Sequence, residues 1–336
     1  MATKVAVIGA GSWGTAVAAI ACHHTPTTLW ARRKDLADEI STTHVNGAYL
    51  ADYPLPEQLK ASASLEEALT GADVVVMGVP SHGFRDVLLD GRAYVAPGVP
   101  VLSLSKGVEQ ETLLRMTEVI TELLPGHPAG VLTGPNLAKE VLAGYPAASV
   151  VALADHDLAT ELQQVFATPS FRVYTNTDVV GCEVAGALKN VMAIAAGMSD
   201  GLGFGDNTKA AVITRGLAEL TRLGIALGGQ PLTFSGLAGM GDLVATCMSR
   251  QSRNRYVGEE LGKGRTLDDI VAEMNMVAEG VKTCRAVVAL AARVGVDMPI
   301  AEEVTAVVNG EKTAVEIIAS LLAREAGREL EGIDDI

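Results

Sequence analysis

The stretch "VAVIGAGSWGTA" at residues 5–16 constrains this chain more than any other, because an apolar run broken by three close glycines admits two incompatible readings. With Lys4 in front and "AAIA" behind, it has the outline of a secretory signal peptide. Such a peptide needs an uninterrupted apolar helix, and Gly9, Gly11 and Gly14 would each weaken that helix by about 1 kcal/mol. The second reading is a strand, a glycine turn and a helix start, and it accounts for the glycines. Gly9 permits a tight turn, Gly11 lets the backbone approach a pyrophosphate, and Gly14 allows the helix to pack closely on the strand, with its N-terminus facing the phosphates. The sequence that follows has the required context. "TAVAAIACHH" is helical in composition and "TTLWA" at 27–31 is β-branched and aromatic, which closes a strand–helix–strand unit within about 30 residues. A glycine turn that only packs is the plain alternative; the context favours dinucleotide binding.

At the end of the second strand an acidic residue would meet ribose hydroxyls, but the sequence reads "WARRKD". Arg32 and Arg33 stand where a 2′-phosphate would sit, which favours NADP, with NAD possible. A solvated charge run, with Asp35 close by, is the competing reading.

The alternation continues. Apolar strand-like runs fall at "DVVVMGV" (73–79), "VPVLSLS" (99–105), "AGVLTG" (129–134) and "AASVVAL" (147–153). Between them lie helical patterns such as "SLEEAL", where Ser64 and Glu67 have capping-box spacing, and "ETLLRMTEVITELL". Continuous apolar strands alternating with helices predict an α/β domain with a doubly wound parallel sheet. From about residue 178 the period changes to that of helices, as in "DVVGCEVAGALKNVMAIAAGMSDGL", "TKAAVITRGLAELTRLGIAL" and "TCRAVVALAARVG". The expected organisation is a nucleotide-binding domain over 1–178 and an all-α substrate domain over 179–330.

Composition narrows the classes of function. A chain of 336 residues with 49% hydrophobic residues can bury a large core, and a formal net charge of -14 opposes a nucleic-acid backbone. Cys22, Cys182, Cys247 and Cys284 are far apart and form neither a CxxC pair nor part of a metal-ligand cluster. They read as reduced thiols of a cytoplasmic protein without a metal. Glycine, proline or charge interrupts the apolar runs, so no membrane span is expected.

Three C-terminal stretches carry chemistry. Lys189 lies in "AGALKNVMAIAAG", so apolar that the lysine either points into a cleft, where burial would lower its pKa and suit it to proton transfer, or snorkels to the surface. "GLAGMGDLVATC" sets Asp242 and Thr246 four apart on one helix face; a helix cap is the structural alternative for Asp242. "SRQSRNRYVGEEL" puts Ser252 at an N-cap position with Arg253 and Asn254 in the first turn, where hydroxyl, guanidinium and backbone N–H groups can converge on an anion. A dinucleotide site, a lone lysine and a basic helix start in an acidic chain point to hydride transfer on a small phosphorylated substrate.

With "GAGSWGTA", "SKGVE", "LTGPNLAKE", "EVAGALKNVMAIAAG", "GLAGMGDLVATC" and "SRNRYVGEEL" in this order, the chain resembles the bacterial NAD(P)-dependent glycerol-3-phosphate dehydrogenases over nearly its whole length. The resemblance implies a Rossmann-type domain followed by an α-helical substrate domain. It also implies the reversible reduction of dihydroxyacetone phosphate to sn-glycerol 3-phosphate, a precursor of phospholipids. By the same resemblance Lys189 is the proton donor and acceptor, and Lys106 meets both cofactor and substrate. Gly134 and Asn136 belong to a substrate loop, with Ala138 near the cofactor. Asp242, Ser252, Arg253 and Asn254 match the substrate set, Arg253 also reaching the cofactor. Ser12, Trp13, Arg32, Arg33, Val277 and Glu279 complete the nucleotide side. Asn136 stands where Ser or Thr is common in the family, replacing a hydroxyl contact by an amide.

Two other classes share part of this pattern. A hydroxyacid dehydrogenase or ketopantoate reductase would have the same first half without needing "SRNR" behind "GMGDL", and a non-catalytic NADP sensor would have no use for Lys189. The expected partners are the small phosphorylated substrate and, in an arrangement left open, a second copy of the chain as a homodimer.

Overall fold

The computed structural model describes residues 3–274, 278–324, 329 and 333. Its elements run β1 (Val5–Ile8), α1 (Ser12–Cys22), β2 (Thr27–Trp30), α2 (Lys34–Thr43), α3 (Gly47–Leu50), β3 (Lys60–Ser62), α4 (Leu65–Leu69), β4 (Val74–Met77), α5 (Ser81–Gly91), β5 (Val101–Ser103), α6 (Met116–Leu123), β6 (Ala129–Thr133), α7 (Ala138–Leu142), β7 (Ala147–Ala152), α8 (His156–Phe166) and β8 (Phe171–Asn176). There follow α9 (Val179–Gly201), α10 (Asp206–Ala226), α11 (Pro231–Phe234), α12 (Asp242–Met248), α13 (Arg253–Gly262), α14 (Leu267–Glu273), α15 (Glu279–Val294), α16 (Pro299–Val308) and α17 (Ala314–Leu322). The chain divides into two compact units, one of Met1–Ser105 with Arg115–Val179 and one of Lys106–Leu114 with Val180–Ile336.

In the first unit the strands form an eight-stranded sheet in the order β3-β2-β1-β4-β5-β6-β7-β8. Every residue of β1, β2 and β4 is buried, so both faces of the sheet centre are covered and the strands read as unbroken apolar runs. The sheet is not wholly parallel: β7 runs antiparallel to β6, and β8 then pairs parallel with β7. Alternation alone could not show this reversal, because strand direction depends on how the connection crosses the sheet. The short edge strand β3 and the strand β8 were also outside the predicted set. In β8 the burial pattern alternates over Phe171, Arg172, Val173 and Tyr174, the signature of a half-covered strand. At α4 the capping box is half made. Ser64 Oγ accepts the Glu67 N–H at 3.2 Å, but the Glu67 carboxylate instead takes the Ser62 hydroxyl at 2.6 Å.

The second unit is helical and contains its own apolar core, centred on α9. By length and composition α9 could cross a membrane, contrary to the sequence expectation, yet 83% of its most apolar window is buried. It is the core helix of this unit. Helix α13 crosses α9 in near-backbone contact: a Cβ on Gly197 would stand 2.0 Å from the Arg255 carbonyl oxygen, and one on Gly258 would stand 2.0 Å from that of Ile194. Only glycine fits such a crossing, and the approach sets the start of α13 beside the middle of α9.

Candidate active site

In the sheet unit, the predicted nucleotide residues lie at the carboxyl ends of β1, β2 and β6. Gly9 has φ +121, and a Cβ there would lie 2.6 Å from the Gly78 carbonyl oxygen. A Cβ on Gly14 would lie 2.0 Å from the Gly9 oxygen, so the turn and the helix behind it close only with glycine at both positions. Gly11 is the N-cap of α1, and a Cβ there would meet nothing within 4 Å. Among the described residues no side chain caps this helix, and its first turn, with Ser12 and Trp13, carries no acidic residue. A cradle of this shape at an uncapped helix N-terminus fits a pyrophosphate. Trp13 packs on Phe171 with ring centroids 6.1 Å apart, and its buried Nε1 has no partner among the described residues. Arg32 and Arg33 follow β2 and are both exposed, with Arg33 3.8 Å from Asp35, which is also exposed. After β6, Gly134 turns at φ +138, and Asn136 donates through Nδ2 to Ser149 Oγ at 3.2 Å while its buried Oδ1 has no partner among the described residues. Ala138 begins α7.

The helical unit assembles a charged cluster. Lys189 is only 5% exposed, so it does not snorkel. Its ammonium donates to Asp242 Oδ1 and, at 2.7 Å, to Thr246 Oγ1. Lys106 donates to the other oxygen, Asp242 Oδ2, at 2.6 Å. One carboxylate is thus shared by two lysines, and Asp242 is not spent as a helix cap. A π-helical turn over Leu237–Gly241 leads directly into α12, which holds Asp242 and Thr246 one turn apart. Burial lowers the Lys189 pKa from 10.5 to about 8 against the pull of Asp242, which acts to raise it, and Lys106 adds a smaller lowering effect. Burial also pushes the neighbouring Cys247 thiol up to about 12, leaving it inert at neutral pH.

Ser252 caps α13 by accepting the Arg255 N–H at 3.2 Å, which leaves the hydrogen of its own hydroxyl to donate elsewhere. Arg253 is the first residue of that helix and is exposed, whereas Asn254 is buried. Glu279, half-buried at the start of α15, has its pKa raised by burial against the attraction of Arg253, Lys106 and Lys189. Val277 lies outside the described residues. A residue the sequence reasoning missed ties these parts together. Asn190 donates to the Lys106 carbonyl at 3.0 Å and accepts from Asn254 Nδ2 at 2.9 Å, and Asn254 Oδ1 in turn accepts the Gly280 N–H at 2.9 Å. An amide next to Lys189 in an otherwise apolar helix was the available signal.

A glycine cradle at the carboxyl edge of a mostly parallel sheet, and in a helical unit a buried lysine held by a carboxylate, define a nucleotide-dependent oxidoreductase. Family models described as the N-terminus and C-terminus of NAD-dependent glycerol-3-phosphate dehydrogenase match residues 4–159 and 178–319. Among similar proteins, a glycerol-3-phosphate dehydrogenase (NAD(P)+) of Sphingopyxis alaskensis is 55% identical over 98% of this chain and 99% of its own length. One from Mycobacterium tuberculosis is 53% identical over 98% and 97%. The crystal structure of glycerol-3-phosphate dehydrogenase from Coxiella burnetii superposes with a TM-score of 0.92 at 36% identity, covering 96% of this chain and 99% of that one. The chain belongs to the NAD-dependent glycerol-3-phosphate dehydrogenase family.

Proposed function

We propose that this protein catalyses the reversible reduction of dihydroxyacetone phosphate to sn-glycerol 3-phosphate, feeding phospholipid synthesis, with NADPH preferred and NADH accepted. The observation that carries the reading is the sharing of Asp242 by Lys189 and Lys106 around a buried ammonium whose pKa is about 8. When bound, the nicotinamide supplies the hydride chemistry at the substrate C2. Lys189 Nζ gives its proton to the C2 oxygen on reduction and takes it back on oxidation, and a pKa near the working pH serves both directions. Asp242 holds the ammonium in place, and Lys106 adds a second positive charge beside the oxygen that becomes negative. Arg253, Asn254 and the Ser252 hydroxyl bind the substrate phosphate at the N-terminus of α13. Thr246 orients Lys189. Gly134 and Asn136 complete the substrate loop. Gly9, Gly11, Ser12, Trp13, Gly14, Ala138, Glu279 and the exposed pair Arg32 and Arg33 serve the nucleotide.

In this reading residues 1–178 bind nucleotide and 179–330 bind substrate, with Lys106 lent by a segment that groups with the helical unit. The enzyme works in the cytoplasm, and a homodimer is compatible with it. The test is NADPH oxidation by the purified chain with dihydroxyacetone phosphate, compared with ketopantoate and with unphosphorylated dihydroxyacetone. Preference for the phosphorylated ketone is expected; faster turnover of either alternative would overturn the assignment.

A further inference from the structure

The loop between α2 and α3 places a wholly buried amide, Asn46, behind the glycine turn of the sheet unit. Asn46 Nδ2 donates to the Ala10 carbonyl at 3.0 Å and to Thr15 Oγ1 at 2.8 Å. Ala10 is the residue between Gly9 and Gly11, and Thr15 lies on the first turn of α1, so this one side chain ties the turn to the helix that leaves it. The Asn46 backbone is itself fixed, since its carbonyl accepts the Leu50 N–H at 2.7 Å. Its Oδ1 is buried without a partner among the described residues. A buried amide with an unpaired oxygen is a poor choice for packing, and an apolar residue would fill the space without that loss. What the asparagine contributes is its two N–H donors.

We propose that Asn46 is a positioning residue for cofactor binding: by holding the Ala10 carbonyl it sets the orientation of the Gly11 N–H that meets the pyrophosphate. The peptide unit is planar and trans, so its C=O and N–H point in opposite directions. Drawing the Ala10 oxygen toward Asn46 therefore turns the Gly11 N–H away from the interior. Gly11, on the far side of that peptide, has no Cβ to resist its rotation. Without the Asn46 donors the peptide can rotate, and its N–H loses the anion. The second bond, to Thr15, keeps α1 in register with the turn.

This inference rests on the reading of the sheet unit as an NADP(H) site, and the test separates the two. Calorimetric titration of the full chain compares NADPH with adenosine 2′-phosphate, which keeps the group expected at Arg32 and Arg33 but has no pyrophosphate. Asn46→Ala is expected to raise the NADPH Kd about 10- to 100-fold, the loss of one or two hydrogen bonds to a charged group, while the adenosine 2′-phosphate Kd stays within about twofold. Asn46→Asp keeps the volume but faces the Ala10 carbonyl with an acceptor; it should show the same pattern and carries the test if the alanine variant does not fold. Equal weakening of both ligands, which a general loosening of the unit would produce, overturns the proposal, as does unchanged NADPH binding. Failure of the unmutated protein to bind either ligand overturns the cofactor reading, and this inference with it.

Discussion

Replacing Asp242 by asparagine tests the proton chemistry most directly, because that carboxylate opposes the effect of burial on Lys189. The native pKa of about 8 is a balance: desolvation pulls it down from 10.5, and Asp242 pulls it back up. Ketone reduction needs Lys189 charged. At pH 7 about nine-tenths of it is protonated, and at pH 9 about one-tenth. The kcat of reduction, with both substrates saturating, should therefore be flat below about pH 7 and fall through a midpoint near 8. Alcohol oxidation, which needs the neutral amine, should rise through the same midpoint. In Asp242→Asn the attraction disappears. A pair of unit charges at about 4 Å attracts by about 4 kcal/mol at an effective dielectric near 20, equivalent to roughly three pKa units. The asparagine dipole restores part of this, so the midpoint should fall by about one to three units, and reduction at pH 8 should lose about fivefold or more beyond any loss of geometry. Lys189→Ala provides the control: kcat drops about 10²-fold or more and the midpoint vanishes, with NADPH affinity retained. A midpoint in Asp242→Asn that stays at 8 or moves up, or one that persists in Lys189→Ala, would refute the assignment of Lys189 as the proton donor.

Neutralising Arg32 and Arg33 together should raise the KM for NADPH far more than that for NADH, since only NADPH carries a 2′-phosphate for exposed guanidiniums to bind; equal effects would make the pair surface charge. Arg253→Ala should lower kcat/KM for dihydroxyacetone phosphate about 10- to 150-fold, from roughly 1.5 to 3 kcal/mol of charged hydrogen bonding, and leave dihydroxyacetone nearly untouched; parallel losses would remove the arginine from the phosphate site. Glu219 caps α16 by accepting the Ile300 N–H at 2.7 Å, and burial raises its pKa from 4.5 to about 7. A pKa raised by folding means that its stabilising contribution is complete below pH 4.5 and lost as pH rises through 7. Between pH 5 and 8 the stability difference should therefore shift toward Glu219→Gln by up to roughly 3 kcal/mol, and melting curves that stay parallel in pH would disprove it.

Much of the site was legible because its chemistry is local. The glycine turn, the Ser252 cap and the i, i+4 pair of Asp242 and Thr246 are set by backbone geometry over a few residues, and the structure places each as the spacing predicts. Asn46 and Asn190 were not legible. Their partners lie 31 to 84 positions away, and nothing in the spacing distinguishes an amide that ties two segments together from one that faces water. The same holds for the direction of β7. Its residues are as apolar as those of a parallel strand, and only its connection makes it run against β6.

By itself, then, the sequence determined the periodicities, and through them a sheet followed by helices, a glycine turn between the first strand and helix, and a short set of polar residues too costly to bury without a purpose. Tertiary structure decided what those residues meet. The fate of Lys189, snorkelling or buried, depended on where α9 lies in its unit. Its pKa depended on the closeness of a carboxylate 53 positions away and of Lys106, 83 positions before it, on the same carboxylate. Desolvation and Coulomb attraction act through space, with magnitudes set by burial and distance, and neither is a property of the chain until it has folded.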